Sequence, residues 1–97
     1  MSRPVFQLVL HPTYYNNGFF NVLREFDRYV RRDEGPVTLV LGNRFQEIGA
    51  RVDRNANQNG TARIIGNAPL LRWFQKEYHE MDVVLVRFAS PDRLVLG

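Results

Sequence analysis

With 97 residues, 44% of them hydrophobic and twelve aromatic, the chain is long enough for one domain (1–97) with a modest core and too apolar to stay disordered. It has no cysteine, which excludes a disulfide frame, a thiolate metal site and a cysteine nucleophile. The formal net charge of +3 is mild, yet twelve of the thirteen basic residues are arginine and only Lys76 is lysine. Arginine's planar fork suits bidentate recognition of phosphate or guanine, although a high genomic GC content produces the same bias. No apolar run approaches the roughly 18 residues of a membrane span. The opening MSRPVFQ has no signal-peptide pattern, so a cytoplasmic protein that does not engage a membrane is expected.

Residues 5–10 (VFQLVL) form a near-continuous apolar run, short enough for a largely buried strand, and His11-Pro12 stops it. Residues 13–18 (TYYNNG) read as a turn-rich connection and 19–22 (FFNV) as a brief second strand. Leu23, Phe26, Tyr29 and Val30 then recur at helical spacing, with Arg24, Asp27, Arg28 and Arg31 on the other face, until Gly35-Pro36 ends the helix. Strands follow over 37–41 (VTLVL), 45–52 and 61–65. Asn67 offers an N-cap, with Pro69 in the first turn of a second helix over 68–78 that buries Leu70, Leu71, Trp73, Phe74 and Tyr78. Residues 83–88 (VVLVRF) and 93–96 (RLVL) close the chain as two strands around Ser90-Pro91-Asp92. The predicted order is β-β-α-β-β-β-α-β-β, an α+β, mostly β domain. Seven strands and two helices in 97 residues fit a small, highly curved or closed sheet whose helices cover its ends or one face. Alternation along the strands is weak, so their pairing does not follow from pattern.

The most polar stretch is 51–66 (RVDRNANQNGTARIIG), with three arginines and four side-chain amides. Arg, Asn and Gln read base edges because each can make two planar hydrogen bonds. Asn59-Gly60 is a two-residue hairpin signal, so a β-ribbon with a polar tip is predicted. A solvated turn, held by its own asparagines, is the alternative.

Taken together, these strings resemble a DNA-binding pseudobarrel, the superfamily of the plant B-three domain and of the N-terminal effector domain of EcoRII-type restriction endonucleases. The likeness covers nearly the whole chain: HPTYYNNGFFNV after the first strand, PVTLVLG, RVDRNANQNGTARIIG, and LLRWFQKEYHEMDVVLV. Met81-Asp82 stands where Gly-Asp is common in the family. The restriction-enzyme branch is the closer likeness. The resemblance implies a seven-stranded open pseudobarrel with two helices covering its ends and two loop arms gripping the major groove, here residues 11–19 and 51–63. The implied function is sequence-specific double-stranded DNA binding, as the target-recognition domain of a restriction endonuclease or a related prokaryotic protein. It admits a nuclease domain or subunit as partner.

Arg54, Asn57, Gln58, Asn59 and Arg63 are the first candidates for base or phosphate contacts. Asn59 is alternatively only a turn residue, Asn55 a local cap, and Arg51 one half of an ion pair with Asp53. Tyr14, Tyr15, Asn16 and Asn17 are the first-arm candidates, with one tyrosine expected to be a packed loop anchor. Phe19-Phe20 and Trp73-Phe74 are read as core. Residues 77–82 (EYHEMD) hold three acids and a histidine but read as a solvated helix end, so no metal or other cofactor is expected. Pro91-Asp92 lacks the acid-x-Lys of a nuclease, no Gly-rich phosphate loop appears, and Ser2 and Ser90 are the only serines, so no catalytic residue and no enzyme activity are expected in this chain. The rival readings are an RNA or single-strand binder, and a protein-interaction module using the Asn-rich loop.

Overall fold

The computed structural model describes residues 4–97; Met1, Ser2 and Arg3, which open the stretch inspected above for a signal, lie outside them. Strands β1 (Val5–Val9), β2 (Phe19–Asn21), β3 (Gly35–Leu41), β4 (Gln46–Asp53), β5 (Arg63–Ile65), β6 (Val83–Ser90) and β7 (Arg93–Leu96) join in one sheet. Three short helices interrupt them: α1 (Pro12–Tyr15), a 3₁₀ helix (Arg24–Tyr29) and α2 (Asn67–Glu77). The strand order is β1-β6-β7-β3-β4-β5-β2, and every pair is antiparallel except β3–β7. The sheet curls into a half-barrel around one core, in which Phe20 and Phe74 are the largest fully buried side chains. None of the helices is long and apolar enough to cross a membrane, among the described residues.

Along most of β6, alternation is clear in burial even though it is blurred in sequence. On β6, Val84, Val86 and Phe88 point inward while Val83, Leu85 and Arg87 point out. Two of the three outward residues are apolar, which is why the residue types alone hid the period.

Several boundaries differ from those predicted, each for a local reason. The TYYNNG connection begins with a helical turn, α1, because Pro12 presets the first helical φ and the Tyr15 N–H donates to the His11 carbonyl at 2.9 Å. The expected α-helix over 23–30 is a 3₁₀ helix. Three residues per turn superpose Phe26 and Tyr29, and both rings pack against Phe88. Leu23, read as part of that apolar face, is exposed instead. Gly35-Pro36, read as a helix stop, belongs to β3. Proline is tolerated there because β7 pairs only from Thr38 onward, so no neighbour needs its missing N–H. Asn67 does not cap α2. It adopts φ +59°, and the N–H groups of Gly66 and Asn67 both donate to the Gly18 carbonyl at 3.0 Å. Gly18 itself has φ +74°, and a Cβ there would collide with the Asn67 carbonyl.

Chain direction fixes what lies at each end of the half-barrel. β1, β3, β5 and β7 start at one end, where the 3₁₀ helix and the loop 54–62 also lie. α1, the β3–β4 turn and α2 lie at the other. Trp73 and Phe74 are core, as expected, at 8% and 0% exposure. Phe74→Ala is therefore expected to cost about 3–5 kcal/mol in urea unfolding, the usual penalty for emptying a buried aromatic position.

Candidate functional site

The outer face of β4, β5 and β2 is a small ledger of cross-strand rows. Asp53, Arg63 and Asn21 stand in one row, Arg51, Ile65 and Phe19 in the next. Adjacent residues of a strand face opposite sides, so only Phe20 of the Phe19-Phe20 pair enters the core. Phe19, expected to be core, is only partly buried, and the Arg63 guanidinium lies 4.3 Å above its ring. Arg63 Nε donates to Asn21 Oδ1 at 3.0 Å and Nη2 to Asn57 Oδ1 at 3.5 Å, which holds the guanidinium in place over the ring. Arg51 is exposed and has neither an ion-pair nor a hydrogen-bond partner among the described residues. It does not pair with Asp53. That carboxylate lies below its ordinary range chiefly because the Asn55 N–H donates to it at 2.9 Å, with Arg51 adding a weaker attraction.

Loop 54–62 is built differently from the predicted two-residue hairpin. Its turn runs from Asn57 to Gly60, closed by the Gly60 N–H donating to the Asn57 carbonyl at 3.1 Å, and only Gly60 takes a positive φ. The ladder stops short of the tip because side chains claim its backbone groups. Asp27 Oδ1 accepts the Ala62 N–H at 2.8 Å, and Asn59 Oδ1 accepts from the Thr61 N–H and hydroxyl at 3.2 and 2.8 Å. Asn59 is thus a turn residue. Asn57 Nδ2 donates to Asn21 Oδ1 and to the Thr61 carbonyl, both at 3.1 Å, while Asn55 Nδ2 donates to Glu34 Oε1 at 3.2 Å. Gln58, exposed at the tip, is the one amide of the loop with no internal partner among the described residues.

Arg54 is the largest departure. Its Nη1 donates to both oxygens of Asp27 at 2.8 and 2.9 Å, and Nη2 donates to the Arg31 carbonyl at 2.7 Å. Both side chains are only 15% exposed. Arg54 therefore braces the loop from within and is not presented to solvent. Asp27, placed by the helical spacing on a solvated face, is the residue that sequence reasoning missed. Nothing local marks it out, because its partners Arg54 and Ala62 lie 27 and 35 positions away.

The other arm, residues 11–18, flanks the same strands at their opposite end. Tyr15 Oη donates to the Tyr78 carbonyl at 3.0 Å, which makes it the packed anchor of the pair. Tyr14 is wedged edge-on between His11 and Phe19, at ring distances of 5.9 and 5.7 Å. Asn16 Nδ2 donates to the Pro12 carbonyl and Glu80, and Asn17 Nδ2 to the Thr13 carbonyl at 2.8 Å, so both are exposed but oriented from behind. Beside the face, a shallow groove of about 450 Å³ runs between β3 and β4 past Thr38, Gly49 and Arg51. A Cβ at Gly49 would meet nothing within 4 Å, so the groove floor there is bare backbone. His79 and Asp82, from the acid-and-histidine run 77–82, form a turn in which the Asp82 carboxylate accepts the His79 N–H at 2.8 Å.

The arrangement thus offers one free cation (Arg51), one cation held over an aromatic ring (Arg63) and one free amide (Gln58), between two braced loops. The sequence matches no protein-family model, and no curated protein resembles it at a significant level.

Removing the Asp27 carboxylate strands the Arg54 charge and the Ala62 N–H together. Asp27→Ala is expected to cost about 3 kcal/mol in urea unfolding. It should also collapse amide-exchange protection at Ala62, whereas Asp33→Ala, whose carboxylate pairs with Arg31 in solvent, should leave the urea midpoint nearly unchanged.

Proposed function

We propose that this domain binds double-stranded DNA sequence-specifically through the major groove, as its resemblance to DNA-binding pseudobarrels implies. On this reading it is the target-recognition part of a restriction endonuclease or a related prokaryotic protein, with a nuclease domain or subunit as its partner. The observation that supports it best is the spacing of the two arms. They flank β2 and β5, strands of three residues each. At about 3.3 Å per residue the intervening ledge is roughly 10 Å long, close to the roughly 12 Å width of the B-DNA major groove.

Between the arms the roles divide by what each side chain has left to offer. Arg51 is free to follow a phosphate. Arg63 is immobilised on Phe19 and keeps part of its fork for a base edge, at little further entropic cost. Gln58 has its whole amide available and is the first choice for a bidentate base contact. Arg54, Asn55, Asn57 and Asn59 act by shaping the loop, and Tyr14, Asn16 and Asn17 supply short-range contacts from the uncharged arm. The single-strand reading gains nothing on this face, because Phe19, the ring that would stack on a base, is covered by Arg63.

The test is duplex affinity measured across a salt series. Each phosphate contact contributes about −0.9 to the slope of log K against log salt. Arg51→Ala should weaken binding to every duplex and flatten that slope by about one unit. Gln58→Ala or Arg63→Ala should cost about 1–3 kcal/mol on the preferred site and relax the preference at one base pair. Arg28→Ala, on the exposed side of the 3₁₀ helix, should do neither. Loss of binding in Arg28→Ala alone would show that the face is wrongly assigned, and preference for single strands or RNA in competition would sink the duplex reading.

A further inference from the structure

At the end of the half-barrel away from loop 54–62, the β3–β4 turn and the second half of α2 enclose a cleft of about 620 Å³. Three cations line it, Arg44 from the turn and Arg72 and Lys76 from α2, against one acidic side chain, Glu77. Among the described residues none of the three cations has an ion-pair partner, whereas Arg31, Arg54 and Arg93 each hold a carboxylate. Arg72 and Lys76 are four positions apart on one helix, where like charges repel. The fold thus gathers three cations against one carboxylate side chain here, an excess of positive charge that an anion would relieve.

A further feature belongs to the same place. Trp73 lines the cleft, and its indole N–H donates to no acceptor among the described residues. Its Nε1 would lie 3.4 Å from a Cβ at Gly42, whose φ of +68° suits glycine, so the missing side chain keeps that donor edge clear. The volume suits a small molecule of nucleotide size.

We infer that this cleft is an anion site that takes a phosphate group, presented either by a free phosphorylated small molecule or by a nucleic-acid strand. Arg44, Arg72 and Lys76 grip the phosphate oxygens with charge-assisted hydrogen bonds, and the Trp73 N–H adds a neutral donor. The inference stands apart from the proposed duplex face, since it uses none of that face's residues.

Trp73 is the only tryptophan, so its fluorescence reports on the cleft directly. The full chain is titrated with inorganic phosphate, with adenosine 5′-monophosphate and with a short duplex, sodium chloride serving as the ionic-strength control. A saturable change is expected with at least one phosphate probe, weakened about tenfold or more in Arg72→Gln/Lys76→Gln and unaltered in Arg28→Gln. All of these side chains are exposed, and unchanged thermal melting verifies the fold; Arg44→Gln, on the other wall, gives an independent reading. Response to phosphate or the mononucleotide identifies a free ligand as the source, and response to the duplex alone identifies the nucleic-acid backbone. No saturable change with any probe, or full affinity in both the double variant and Arg44→Gln, overturns the inference.

Discussion

A largely buried carboxylate on the 3₁₀ helix, Asp27, accepts hydrogen bonds from the Arg54 guanidinium and the Ala62 backbone N–H, and so ties together the two ends of loop 54–62. Much of the outer face follows from that clamp. With Ala62 fixed, β5 can start only at Arg63, and its register on β2 and β4 sets Arg63 opposite Asn21 and Asp53. Arg54 continues inward to the Arg31 carbonyl, which joins the far end of the 3₁₀ helix to the same unit. The arrangement has a cost. Arg54 Nε is buried with no acceptor, the one such side-chain atom among the described residues.

The polar composition of the loop serves its own architecture before it serves any partner. Asn55, Asn57 and Asn59 spend their amides on Glu34, Asn21 and Thr61, and so hold open a turn that the backbone ladder does not reach. A loop stiffened in this way loses less conformational entropy when something docks on it. The residues left for contact are correspondingly few, and they sit where the scaffold presents them.

Apart from the helical turn α1, the element order was legible from apolar runs, prolines and glycines, because those features act within a few residues of themselves. The core membership of Phe74, Trp73 and Leu70 was legible for the same reason. What could not be read was anything decided across the chain. Asp27 looks like a solvated helix residue until the fold brings Arg54 to it, and Arg54 looks like a free contact residue for the same reason. Phe19 was misjudged because two adjacent phenylalanines suggest core, although a strand can bury only one of them. Asn67 resembled a cap, but its helix takes the Gly18 carbonyl in place of a side chain. The Asn59-Gly60 hairpin failed because a carboxylate from another element captured the backbone donor that the ribbon needed.

The sheet order also dictates when the fold can close. β1 leaves the ribosome first, yet its only sheet partner among the described residues is β6, which comes near the end of the sequence. The middle of the sheet is under no such delay, since β3 and β4 are joined by a tight turn and pair along their whole length. Synthesis therefore yields a β3–β4 hairpin early, while Phe6 and Leu8 wait without a strand to shelter them until residues 83–90 emerge. Long-range closure of this kind is slow and leaves apolar edges open in the meantime. A nascent chain halted before β6 is a sticky, half-made sheet, and the cell's handling of that species bears on how much native protein accumulates.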